Sequence, residues 1–351
     1  MSSSQTYSPF RSVLLREWRR MTSRCLYFGV CIILPLFTLF FMATIFGNGQ
    51  MENIPIGIVD QDNTASSRAI ARNISAVPTF KVTRHFVNEE AARKAVQKKE
   101  IYGYLSIPPK FEQDAISGKN ATLSYYYHYA LLSVGGELMA AFETSLAPVS
   151  LSPIVMQAVA LGVEQDKITT FLLPVQASNH PIYNPSLDYS VYLSQPFFFV
   201  LFQVLILLIT VYAVGIEIKF RTADEWLFVA KGNMVTAVLG KLLPYTIIFI
   251  LIGWLANYVM FGILHIPFQG SWLLMNMLTA LFVVATQALG LFLFSLFPAI
   301  SLIISIVSMV GSLGATLSGV TFPVTNMYPL VRDASYLFPV RHFTEMMQNM
   351  L

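Results

Sequence analysis

Charge is scarce in this sequence. Only 12% of its 351 residues are Asp, Glu, Lys or Arg, while 55% are hydrophobic and the mean hydropathy is +0.60. Soluble domains carry about a quarter charged residues, so an ordinary globular protein is excluded. The deficit is also local: stretches 25–51, 189–215 and 242–331 hold none of the four charged residue types. A helix needs roughly 20 apolar residues to cross about 30 Å of hydrocarbon. Each stretch is long enough to span a bilayer, and the third is long enough to span it several times.

Other absences remove chemistry. The phosphate-cradling pattern Gly-x-x-x-x-Gly-Lys-Ser/Thr does not occur. Its closest text, Gly240-Lys241-Leu242, lacks both the hydroxyl for magnesium and the earlier glycine, so no cofactor or nucleotide site is expected on this chain. His85, His128, His180, His265 and His342 are scattered, with no His-x-x-x-His or Cys-x-x-Cys pair, and no metal site is expected. No Gly-x-Ser-x-Gly elbow is present, and the apolar stretches lack the acids that an intramembrane enzyme would retain at some cost, so no catalytic residue is assigned. Cys25 and Cys31 lie at or inside the first apolar stretch, so no disulfide framework staples the rest. The first 25 residues lack a small-residue cleavage site, and the first span is expected to remain as an anchor.

What is present reads as a polytopic α-helical membrane protein with five spans, at 26–46, 191–214, 242–264, 272–297 and 299–320. The breaks fall where Pro, Gly and His cluster, as in Leu264-His265-Ile266-Pro267 and Phe297-Pro298. Helix is preferred to a β-barrel because these runs are continuously apolar, whereas barrel strands alternate. Arg11, Arg16, Arg19, Arg20 and Arg24 precede the first span against the single acid Glu17, and Lys219, Arg221, Lys231 and Lys241 lie between the second and third. Basic residues accumulate on the cytoplasmic side. The N-terminus and the 215–241 connector are therefore expected in the cytoplasm, and the insertion at 47–190 outside it. With 11 basic and 12 acidic residues between 53 and 188, that insertion is not a polybasic membrane-binding segment.

Within residues 1–25, Phe10, Val13, Leu14, Trp18 and Met21 recur at helical spacing. This predicts an interfacial helix anchored by Trp18, with Arg16, Arg19 and Arg20 facing anionic lipid; an unstructured basic flank is the alternative, and a nucleic-acid arm is disfavoured. The insertion begins with a strand at 54–59, a turn Asp60-Gln-Asp-Asn63 rich in capping residues and a helix at 66–77. A strand at 80–86, a helix at 89–99 capped by Asn88, a strand at 102–107, a helix to 117 and an aromatic strand at 121–129 follow. This predicts an inserted external α/β domain, then a helical stretch over 133–168. The sequons at Asn73 and Asn120 carry no assignment.

In the connector, Thr222 and Glu225 have the spacing of a capping box and Gly232 can end the helix they begin, so a short amphipathic helix is predicted there. Gln203, Asn257, Asn276 and Gln287 are polar but uncharged within the spans; they either line a pathway or hydrogen-bond between helices. Gly311, Gly314 and Gly319, with Ser308, Ser312 and Ser318, read as a close-packing face.

The basic amphipathic start, the external opening Ile56-Gly-Ile-Val-Asp-Gln-Asp-Asn63 with Ser67-Arg68, and the 217–225 connector together resemble the permease subunit of type-2 ATP-binding-cassette (ABC) exporters. So do Ser318-Gly-Val-Thr-Phe-Pro-Val-Thr-Asn-Met-Tyr-Pro329 and Leu337-Phe-Pro-Val-Arg-His-Phe343, which look like that family's re-entrant external helices within 321–351. The resemblance implies a bacterial inner-membrane permease moving an amphipathic or hydrophobic drug, lipid or metabolite outward. It also implies a separate cytoplasmic ATPase that binds ATP and magnesium, a second permease subunit, and passage to a periplasmic adaptor and outer-membrane channel. The ATPase contact then falls on Arg221, Thr222, Asp224, Glu225 and Trp226. Two features depart from the family: Arg221 stands where a glycine is usual, and a sixth span would begin about where this chain stops. The rival expectation is a non-transporting envelope anchor whose external domain binds a partner.

Overall fold

A computed structural model of the chain describes residues 8–45, 51–117, 122–131, 133–146 and 193–350. It divides into a unit formed by Met1–Gly49 with Pro181–Leu351 and a unit formed by Gln50–His180.

Among the described residues the first unit contains five helices long and apolar enough to cross a membrane: Cys25–Ile45, Gln195–Lys219, Met234–Ile263, Trp272–Leu296 and Ile300–Leu317. The second span is the most enclosed. Phe198, Phe199 and Phe202 on it are fully buried among Phe249 of the third span, Phe282 of the fourth and Phe343 near the C-terminus. Aromatic pairs of this kind add to what area burial supplies. The outer faces carry Phe37, Phe40, Leu273, Met277 and Leu281, all exposed, as expected of helices solvated by lipid chains.

The glycine face of the fifth span packs as expected. A side chain at Gly311 would meet Val204 Cγ2 at 2.8 Å, and one at Gly314 would meet Gln203 Nε2 at 2.6 Å. Ser308 and Ser312 of that series turn outward and donate back to carbonyls of their own helix. After this span come two short helices, Pro329–Ser335 and Pro339–Gln348, of which the second buries Val340, Phe343 and Met347.

Two span boundaries differ from the sequence reading. The second span runs on to Lys219, and the third begins at Met234 because Asn233 accepts a hydrogen bond from the Thr236 amide as its N-cap. Glu217 and Lys241 therefore belong to spans rather than to the 215–241 connector. The spans are not free of charge, and the expectation of a purely uncharged interior is corrected.

The second unit is an α/β domain with a four-stranded sheet in the order β2-β1-β3-β4, where β1 is Ile54–Asp60, β2 Phe80–Phe86, β3 Gly103–Ile107 and β4 Ser124–Tyr127. Strands β1, β2 and β3 are parallel and β4 is antiparallel, the mixed sheet that alternating strands and helices imply. Helices Ala65–Ser75 and Phe111–Ile116 and the helix at 133–146 share one core with Ile54, Ile56, Leu105 and Ile107. Helix Glu89–Gln97 closes the opposite face on Val59, Ile101 and Tyr104. The Asn88 cap is realised, accepting from the Ala91 amide at 2.9 Å. The predicted helical stretch is described as far as residue 146; its continuation to 168, the start of the second span at 191–192 and Asn120 lie outside the described residues.

The turn after β1 shows why that segment is rich in Asp, Asn and Ser. The Asp60 carboxylate accepts from the amides of Asp62 and Asn63 and from Ser67 Oγ, while Thr64 and Ser67 form a reciprocal capping box. Asp62 in turn accepts from the Glu112 amide at 3.0 Å, tying the turn to the helix after β3. These residues hold the loop; the order of polar groups follows the hydrogen bonds it needs.

Candidate functional site

The connector forms one helix, Ala223–Val229, seven residues long. The chain enters it through a reversal that ends the second span. Thr222 N donates to Glu217 O at 2.9 Å and Arg221 N donates to Ile218 O at 3.1 Å, with Arg221 in the left-handed region at φ +55°. This is the Schellman arrangement. A glycine would adopt that conformation without strain, whereas Arg221 carries a Cβ there. The exit repeats the motif: Gly232 N donates to Leu227 O and Lys231 N to Phe228 O, both at 2.9 Å.

The predicted Thr222–Glu225 capping box does not form. The Thr222 hydroxyl donates to the Glu217 carboxylate instead, and no side chain caps the helix. A buried carboxylate is the stronger acceptor, so it takes the hydroxyl from the helix amide. Arg221, Asp224 and Glu225 are exposed, as are Leu227 and Phe228, the latter 84%. Trp226, expected to share the outward contact, is buried. Its Nε1 donates to Ala237 O at 3.2 Å and Lys241 Nζ lies 5.3 Å from the ring centroid, so it anchors the helix to the third span.

Beneath this helix lies a cluster of charges not anticipated from the sequence. Lys241 is fully buried, with Nζ donating to Glu17 Oε2 at 2.6 Å and to Glu217 Oε1 at 2.7 Å. Arg16 forks onto Glu217 at 2.8 and 3.1 Å, Arg20 also donates to Glu217, and Tyr245 OH donates to Glu17 Oε1 at 2.7 Å. Burial lowers the Arg20 pKa, but its hydrogen bond to Glu217 and the charges of both glutamates outweigh that and leave it raised. Both carboxylates are satisfied from several sides, which a buried ion cluster requires to persist.

The N-terminal helix, Pro9–Ser23, carries three of these residues. It is helical as predicted but is not simply laid in the lipid boundary. Val13 and Met21 are buried in the protein, and Gly240 lets the helix come close, since a Cβ there would stand 3.1 Å from Val13 Cβ and 3.2 Å from Phe10 O. Trp18 and Arg19 remain exposed, as the interfacial reading requires. The placement of Arg16 and Arg20 toward anionic lipid is corrected: both turn inward to Glu217.

The polar residues of the spans hydrogen-bond between helices. Asn257 Nδ2 donates to Asn276 Oδ1 at 3.2 Å and to Thr279 Oγ1 at 2.9 Å. Gln287 Oε1 accepts from Thr246 Oγ1 at 2.7 Å, and Gln203 Oε1 accepts from Val340 N at 2.9 Å. Among the described residues there is no cluster of His, Cys, Asp and Glu that could hold a metal ion.

Five membrane-crossing helices, an inserted α/β domain and a small helix bound by buried charges at the ends of two spans define a polytopic transport subunit. The chain belongs to the ABC-2 family of transporter proteins, whose family model matches residues 26–351. It is 21% identical over 347 residues to "Probable multidrug ABC transporter permease YbhS" of Escherichia coli strain K12, covering 97% of this chain and 87% of the relative. The protein of that name from E. coli O157:H7 matches equally. No solved structure matches. The chain is thus the membrane permease subunit of an ABC exporter, a class that works with an ATPase subunit and in a paired arrangement of permeases.

Proposed function

We propose that this permease moves an amphipathic or hydrophobic molecule outward across a bacterial inner membrane, driven by a cytoplasmic ATPase that seats on the exposed face of helix Ala223–Val229. The observation that carries the reading is the buried cluster joining that helix's entry to the N-terminal helix and two spans. Force applied at Asp224, Glu225 and Phe228 is delivered through Thr222 and Glu217 to Lys241 and Glu17. Four elements then move as one body, tilting the spans between inward- and outward-facing states.

On this account ATP and magnesium are bound by the partner, the N-terminus is cytoplasmic, and a second permease subunit completes the pathway. The aromatic interior around Phe199, Phe282 and Phe343 suits apolar cargo, and the multidrug description of the E. coli relative points the same way. Transfer to a periplasmic adaptor and outer-membrane channel is proposed by analogy with exporters of this class. An envelope anchor that transports nothing would have no use for an outward-facing Phe228 on a helix braced from below.

The test is substrate-stimulated ATP hydrolysis by the reconstituted complex, comparing wild type with the Asp224→Lys, Glu225→Lys double variant. Loss of stimulation with assembly of the permease intact supports the contact. Undiminished stimulation removes these residues from the coupling path.

A further inference from the structure

The carboxyl ends of β1, β2 and β3, at Asp60, Phe86 and Ile107, lie on one edge of the external sheet. In open α/β sheets, ligands bind outside the carboxyl ends of the parallel strands. A cleft of about 930 Å³ opens there over the ends of β1 and β2, walled on one side by helix Ala65–Ser75. That size suits a small molecule.

The lining is rich in unused donors. Arg68 and Arg72 stand one turn apart on the helix, and His85 faces the same cleft from β2. Arg68 spends one N–H on Asn63 O at 2.8 Å. Among the described residues, the side chains of Arg72 and His85 have no hydrogen-bond or ion-pair partner. Among the described residues the one carboxylate on the lining is Asp60, which accepts from two amides and the Ser67 hydroxyl at 3.1, 2.9 and 2.7 Å and forms no ion pair with either arginine. Beside these donors the wall is apolar: Phe86 is half-buried and Val87, on the rim, is 89% exposed. Two adjacent guanidiniums recognise oxyanions, and an exposed apolar shelf beside them recognises a hydrocarbon tail.

We propose that this cleft binds the oxyanion head group of an amphipathic small molecule, held by Arg68 and Arg72 with its apolar part over Phe86 and Val87. The site goes beyond the transport reading and does not depend on it, because its occupancy is measured on the permease without any ATPase.

The experiment uses the full chain in lipid nanodiscs and follows hydrogen exchange of the backbone amides over 65–75 and 80–87. The probes are hexyl phosphate and, as its uncharged counterpart, hexanol. Hexyl phosphate slows exchange in both segments and hexanol does not. Arg72→Glu weakens hexyl phosphate binding by about tenfold or more, in line with loss of a charge-assisted contact, whereas Lys81→Glu, on β2 outside the cleft, retains wild-type affinity. Equal protection by hexanol overturns the proposal, as does wild-type affinity in Arg72→Glu. The exchange pattern without probe shows whether each variant is folded, and Arg72→Gln gives the same comparison should the glutamate disturb the domain.

Discussion

Lys241 touches no solvent and stands between two carboxylates, so replacing it strands negative charge inside the protein. Breaking a buried pair costs about 3–5 kcal/mol. The lower end applies here, since Glu217 keeps Arg16 and Arg20 while Glu17 keeps Tyr245. Lys241→Met should therefore lower the thermal midpoint in detergent sharply, and adding Glu17→Gln should recover part of the loss. If the two changes are simply additive, the residues do not act as a pair. Arg221 makes the opposite prediction. It holds a left-handed conformation that costs a residue with a Cβ about 1 kcal/mol, so Arg221→Gly should raise the midpoint slightly. A fall would mean that the guanidinium has a role the reversal does not explain.

The spans, the strands of the inserted domain and the Asn88 cap were legible as elements because each depends on residues close in the chain. Asn88 and its helix are an example: donor and acceptor are three residues apart. The charge cluster was not legible, because Glu17 meets Lys241 across 224 residues of chain and Arg16 meets Glu217 across 201. Read singly, each looks like the solvated flank of a span. One local signal did exist: Val13, Glu17 and Met21 recur every fourth residue and are all buried, so the acid occupies the apolar stripe of its helix. The Thr222–Glu225 spacing misled for another reason: the Thr222 hydroxyl is taken by the Glu217 carboxylate, whose sequence separation from it is 5, and that carboxylate is buried only because the charge cluster forms. At this scale the close approach of the N-terminal helix to the third span is testable. Gly240→Leu should force Val13 and Phe10 away and expose the N-terminal helix to limited proteolysis, while Gly232→Ala, with open space around it but a positive φ, should perturb only the connector.

The molecule as a whole separates its tasks. Apolar spans make up one unit, the segment between the first and second spans folds as an α/β domain, and the proposed energy-receiving surface is a seven-residue helix. Family and general topology could be read from the order of segments. The way the N-terminal helix is fastened to the spans could not, because it depends on long-range ion pairs. The account therefore stands on one claim, that an ATP-binding subunit docks on this helix. The direct measurement is copurification from mild detergent of a tagged permease coexpressed with the products of its neighbouring genes, testing for an ATP-binding subunit and comparing wild type with Glu225→Lys. The account predicts that the ATPase is recovered with the wild type and that recovery falls with the variant. Equal recovery with both would contradict docking at this helix, and recovery with neither would contradict the partnership itself.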